Sequence, residues 1–285
     1  MDREPGATQA RVTPPRAHSS TTAREKAVCA SRVIGTPRRG SSRPRPWIDR
    51  AACDHRGVRT ILVHGFTQTA DSWEPVLDAL APTVDALAVE VPEAQDFVTT
   101  AAVIGARGGP ARYVGYSMGG RLCLALAVER PDLVQSLVLV SSAPGIADAR
   151  EREQRRATDE QLAHDVERDG LDVFLDRWLA QPLFESLPRD AAGLDARRRG
   201  NSVERVTHQL RALGQGAQPP YWDRLGGLEM PVLLVTGAYD RKYRDLAERM
   251  AAAIGDNART VTVPAAGHAL HLEQPAALAA LLADA

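Results

Sequence analysis

The sequence predicts an α/β fold with a mostly parallel sheet and helices on both faces, and three observations carry that expectation. From residue 57 onward, short β-branched or apolar runs alternate with helical stretches. The runs are apolar almost throughout, as strands covered on both faces are. One of them also enters YVGYSMGG (residues 113–120), where a strand, a tight turn and a helix follow in direct succession.

In chain order, strands are expected at Arg59 to Val63, Ala86 to Val91, Arg112 to Gly115, Ser136 to Ser141, Val232 to Thr236 and Thr260 to Val263. Helices are expected at 71–80, 95–107, 118–129, 241–254 and 274–284, the third ending before Pro131. Residues 146–225 break the alternation, with helix-like segments rich in Arg, Glu, Asp and Leu and no convincing strand. They read as a helical cap inserted above the carboxyl ends of the strands, where open α/β sheets hold ligands. The expected organisation is therefore a core of residues 57–145 and 226–285, a cap of 146–225, and a basic tail of 1–56. The tail is rich in Arg, Pro, Ser and Thr and too poor in apolar residues to offset its ordering entropy.

Composition narrows the function classes. Of 285 residues, 35 are Lys or Arg and 36 are Asp or Glu, for a net charge of -1. The tail holds 12 of those bases and 5 of the acids, so it carries +7 and the remainder -8. A near-neutral chain with an acidic main body argues against nucleic-acid binding. No apolar run is long enough to span a membrane, and the N-terminus lacks a secretory h-region. Cys29, Cys53 and Cys123 form neither a CxxC nor an even set, which fits a reducing cytoplasm. No metal-ligand cluster, P-loop or GxGxxG after a strand is present, so a cofactor-free mechanism is expected.

The chemistry centres on Gly115-Tyr116-Ser117-Met118-Gly119. Small residues at 115 and 119 permit a turn sharp enough to lift the Ser117 hydroxyl to the helix N-terminus. A serine hydroxyl needs a base, and the base needs an orienting carboxylate. Asp240 closes VLLVTGAYD past a strand end, and His268 follows in PAAGHALH after the next strand. His271 is a neighbouring alternative, but Gly267 marks the loop position at His268. Two backbone donors should form an oxyanion hole: the amide of Met118, and that of Phe66 at the end of ILVHGF. His64 in that strand reads as structural.

LVHGF, GYSMGGR, Asp240 and GHALHLEQP together resemble the α/β-hydrolase superfamily and its α/β-hydrolase fold, from about residue 57 to the C-terminus. Within the insertion, Pro144-Gly145, REREQRRATDEQL, FLDRWLAQPLF, RRRGN and GAQPPYWDRL resemble the 2-succinyl-6-hydroxy-2,4-cyclohexadiene-1-carboxylate synthases of menaquinone biosynthesis. Generic esterases share the triad but not this series.

The resemblance implies elimination of pyruvate from a small-molecule tricarboxylate substrate, with the triad acting as a base rather than as an acylated nucleophile. Ser117 with His268 would abstract the proton, Asp240 would hold the imidazole, and the Phe66 and Met118 amides would stabilise the developing oxyanion. Carboxylates call for arginine forks. Motif matching places Tyr116, Arg121, Arg155, Trp178 and Arg199 at the substrate, with Arg197 and Arg198 as neighbouring registers for the last. In one departure, Pro92 runs into EAQDFVTT where the family continues as a Gly-His-Gly-x-Ser loop. A carboxylesterase or C-C bond hydrolase using the same triad is the competing enzyme reading, and a non-catalytic binding protein is the third.

Overall fold

The computed structural model describes residues 57–283, so the basic tail, Cys29 and Cys53 lie outside the described residues. Six strands, β1 (Thr60–Val63), β2 (Ala86–Val89), β3 (Ala111–Tyr116), β4 (Val134–Val140), β5 (Val232–Gly237) and β6 (Ala258–Val263), form one sheet in the order β2-β1-β3-β4-β5-β6. Every pairing is parallel.

Successive strand residues point to opposite faces. Ile61, Val63, Tyr113, Leu137, Leu139, Val232 and Leu234 join one apolar cluster, and Leu62, Val114, Tyr116, Val138, Val140, Leu233 and Val235 join the other. Both faces are therefore covered, which is why these runs read as unbroken apolar segments. The first cluster takes in α2 (Phe97–Gly108), α3 (Met118–Glu129) and, through Ala247, Met250 and Ile254, the helix that follows β5. The second takes in α1 (Glu74–Ala79) and two C-terminal helices described below. α3 is buried continuously from Met118 to Ala127, as a helix beneath a sheet centre must be.

Two expected helices differ in detail. The 71–80 segment begins as a 3-10 turn over Ala70–Trp73 and becomes α1 only at Glu74, with Pro75 in its first turn supplying no N–H. After Pro92 the chain reaches α2 through a short connection, and Asp96 caps α2 by accepting from Thr99 N–H at 2.8 Å.

Between β4 and β5 lie four helices and no strand: α4 (Ala149–Asp169), α5 (Leu171–Leu179), α6 (Leu194–Gly200) and α7 (Val203–Leu213). Asp148 caps α4 through the amides of Arg150 and Glu151, and Gly170, at φ 83, turns the chain into α5. The buried residues of α4 are Asp159, Ala163 and Val166, a spacing that puts all three on one stripe. There Ala163 and Val166 join Phe174 and Leu175 of α5 and Val206 and Leu210 of α7 in a separate small core. The remaining helices are α8 (Arg241–Ile254), the single turn α9 (Leu270–Glu273) and α10 (Pro275–Ala283). The expected 274–284 helix is thus preceded by an extra turn that carries His271. Among the described residues no helix is long and apolar enough to cross a membrane.

Candidate active site

The site lies where β3, β5 and β6 end. Ser117 joins β3 to α3 at φ 49 and ψ -108, a left-handed backbone held by its N–H donating to Val140 O (2.9 Å) and its carbonyl accepting from Arg121 N–H (3.0 Å) and Ser142 Oγ (3.1 Å). A side chain at 119 would collide with the carbonyl oxygens of Val63 and His64, which is why glycine stands there.

Asp240 at the end of the β5 loop accepts from His268 Nδ1 at 2.7 Å, and both side chains are almost fully buried. With Nδ1 committed as donor, Nε2 presents its lone pair to Ser117 Oγ at 3.2 Å. His268 is thus the histidine brought to Ser117. His271 instead packs at a tilt against Tyr116 with ring centroids 4.1 Å apart and accepts from Gln68 Nε2 at 3.0 Å. Burial, then Arg197, holds its pKa well below that of free histidine.

The loop after β1 is braced at several points. Val91 N–H donates to His64 Nε2 at 3.0 Å, so Nδ1 is the ring donor, to Gly65 O at 2.9 Å. Gly65 N–H in turn donates to Gln68 Oε1 (3.1 Å). Phe66 follows with its ring edge-on to Trp178, centroids 4.9 Å apart. Met118 is the first residue of α3, and its N–H has no intrahelical acceptor. Phe66 and Met118 both line the cavity over Ser117.

That cavity measures about 320 Å³ and brings together Tyr116, Arg121, Arg155 and Trp178 of the expected set. Arg121 is 7% exposed; it donates to Leu213 O (2.9 Å), Gly214 O (3.4 Å) and Gln218 Oε1 (3.3 Å). Arg155 donates through Nε to buried Asp159 at 2.7 Å, leaving both Nη groups beyond that bond. Arg156, the next residue, is turned to Gly216 O.

Arg199 does not belong to the site. It is exposed, whereas Arg197 is 4% exposed and lines the cavity. The cause is helical phase: Arg197 is three residues from Leu194, whose side chain packs on the cap core, so the two share a face of α6. Position 199 falls on another face, and Arg198 is held by Asp172 at 2.9 Å. Arg197 donates through Nε to Ala192 O (2.9 Å) and through Nη1 to Phe66 O (3.4 Å) and Thr67 Oγ1. Its Nη2 has no acceptor among the described residues. Burial lowers both Arg121 and Arg197 to about 10, so both stay cationic at neutral pH, and neither has a carboxylate partner within 4 Å among the described residues.

The motifs did not mark Lys242, Gln209, Gln215 or Tyr243, which also line the cavity. Nor did they mark the role of Glu273. Its carboxylate accepts from Gly267 N–H (2.7 Å), Ala269 N–H (3.0 Å) and Ser186 Oγ (2.8 Å), and so clamps the loop that carries His268. The acidic residue of GHALHLEQP, five positions after the histidine, was the available signal.

Residues 60–281 match the family model described as alpha/beta hydrolase family. The chain belongs to that family. A protein of Bacillus subtilis (strain 168), named provisionally as a 2-succinyl-6-hydroxy-2,4-cyclohexadiene-1-carboxylate synthase, is 33% identical over 75% of this chain and 85% of its own. The synthase of that name from Serratia proteamaculans (strain 568) is 32% identical over 84% of this chain and 92% of its own. Among solved structures, MenH from S. aureus superposes with a TM-score of 0.74, covering 79% of this chain and 92% of its own at 24% identity, a likeness of fold. In this alpha/beta hydrolase the serine, the histidine and the cations meet in one cavity, an arrangement suited to proton transfer beside a bound anion.

Proposed function

We propose that the chain is a carbon-oxygen lyase that eliminates pyruvate from 2-succinyl-5-enolpyruvyl-6-hydroxy-3-cyclohexene-1-carboxylate, giving 2-succinyl-6-hydroxy-2,4-cyclohexadiene-1-carboxylate. The observation that carries this reading is the cation set over Ser117: Arg121 and Arg197 are buried with no acidic partner among the described residues, and half-buried Arg155 has unspent Nη donors. Guanidiniums kept charged in a low-dielectric wall are stabilised by an anionic ligand, and the substrate brings three carboxylates. The relatives' names point to the same reaction.

The chemistry follows from the substrate. The C2–H bond is acidified by the adjacent succinyl ketone. His268 Nε2 draws the proton from Ser117 Oγ as that oxygen takes the C2 proton, and Asp240 stabilises the imidazolium through Nδ1. The ketone oxygen, bearing the developing charge, is received by the Phe66 and Met118 amides. The C2 electron pair then forms C2=C3, the C3=C4 pair moves to C4=C5, and the C5–O bond breaks. The departing enolpyruvate takes up a proton to become pyruvate. Tyr116, whose ring lies 5.4 Å from that of His268, and Trp178 wall the ring site.

The test is mass analysis of both partners during turnover. The reading expects an organic product lighter by one pyruvate and an enzyme of unchanged mass. A covalent adduct on Ser117, with a burst from p-nitrophenyl esters, would instead assign the carboxylesterase chemistry that the same triad can perform.

A further inference from the structure

Gln209 is the least expected residue of the cavity wall. It lies on α7, is 1% exposed and lines the cavity, yet neither Oε1 nor Nε2 has a hydrogen-bond partner among the described residues. A buried amide left unpaired on both atoms costs stability, and an apolar residue of similar size would remove that cost. Its flanks are already apolar: Val206, Leu210 and Leu213 are all buried. Nothing in the fold calls for a polar side chain there, so the amide awaits a group from outside the chain.

The chemistry of that group follows from what the rest of the wall supplies. Guanidiniums offer donors only, and carboxylates accept only. Gln209 offers both a donor and an acceptor. A carboxylate would satisfy Nε2 and repel Oε1, whereas a hydroxyl both gives and takes a hydrogen bond. Gln209 also lies four residues before Leu213, on the same face of α7, and the Leu213 carbonyl anchors Arg121 at 2.9 Å. The amide and the carboxylate-binding guanidinium are thus set on one wall.

We propose that the Gln209 carboxamide is a specificity residue that recognises an uncharged hydroxyl on the substrate ring. The inference rests on the elimination reading, whose substrate and product carry a single ring hydroxyl, at C6. It gives that hydroxyl a dedicated partner, separate from the cations that take the carboxylates.

The experiment compares two ligands by calorimetry on the full chain: the hydroxylated product, and 2-succinylbenzoate, the aromatic diacid left when the product loses water. Gln209→Leu is expected to weaken the hydroxylated product about tenfold, the worth of one neutral hydrogen bond, while leaving 2-succinylbenzoate unchanged. The same variant should raise the Tm of the ligand-free protein by roughly 2–4 °C, since it removes an unpaired buried amide. A merely structural glutamine would show the reverse, a lower Tm. Equal weakening of both ligands, no weakening of either, or a lower Tm in the free protein overturns the proposal. If branched leucine does not fold, Gln209→Met repeats the comparison. Failure of the underlying reading looks different: the wild type itself would bind neither ligand and release no pyruvate, which removes both claims together.

Discussion

Replacing Arg197 and Arg199 one at a time separates two residues that the sequence presents as equals. Arg197 spends its Nε and Nη1 donors on Ala192 O, Phe66 O and Thr67 Oγ1, and keeps Nη2 for a ligand. A charge-assisted hydrogen bond contributes about 1.5–3 kcal/mol, or roughly ten- to a hundredfold in kcat/KM. Arg197→Ala should lose at least that much, because the contact to the Phe66 carbonyl in the loop after β1 goes with it. Arg199 is exposed, and its removal should stay within roughly 0.5 kcal/mol, about twofold. The assay is steady-state pyruvate release, with the Tm of each variant recorded to show that it is folded. An Arg199→Ala variant as damaged as Arg197→Ala, or an Arg197→Ala variant within twofold of wild type, would refute the helical-phase argument.

Further outcomes follow from other residues. Since burial holds His271 neutral in the fold, its proton is taken up only on unfolding, so the stability it contributes is complete above pH 6.5 and is lost as pH falls below it. The slope is at most about 1.4 kcal/mol per pH unit, and urea midpoints at pH 7.5 and 5.5 should differ more in wild type than in His271→Gln; an identical difference would contradict the assignment. Glu273→Gln replaces one accepting oxygen with an amide that faces N–H donors, so the His268 loop should loosen and kcat fall about tenfold with little change in KM. A change confined to KM would remove Glu273 from that role. Gly119→Ala forces a methyl against the Val63 and His64 carbonyls, and should cost about 1–3 kcal/mol of stability by denaturant titration together with most activity. A variant of full stability would contradict the close approach of these carbonyls to position 119.

Much of this fold was legible because buried parallel strands leave an unambiguous record. Leu62 and Val63 face opposite clusters yet are equally apolar, and that is the signal a doubly covered strand gives. Ser117, Asp240 and His268 were legible for a different reason: each sits at a strand end beside a glycine or a loop, so order along the chain translates directly into position. The cap arginines were not readable in this way. RRRGN offers three adjacent guanidiniums, and which of them enters the cavity depends on the phase of a seven-residue helix, set by the packing of Leu194. Gln209 was silent, and Glu273 was marked only by its place five positions after His268, because the significance of both lies in partners. The Gln209 amide has none among the described residues, and Glu273 gathers three donors from two separate segments. The break at Glu74 and the extra turn at Leu270–Glu273 are differences of a few residues that periodicity does not resolve.

The central claim is that Ser117 and His268 act as a base on a carboxylate-clamped substrate. The most direct measurement is the rate of pyruvate release from 2-succinyl-5-enolpyruvyl-6-hydroxy-3-cyclohexene-1-carboxylate by the wild type and by Ser117→Ala. The account predicts release by the wild type and a loss of about a thousandfold or more in the variant, with its fold intact. Release at equal rates by the two proteins, or none by either above the uncatalysed background, would contradict it.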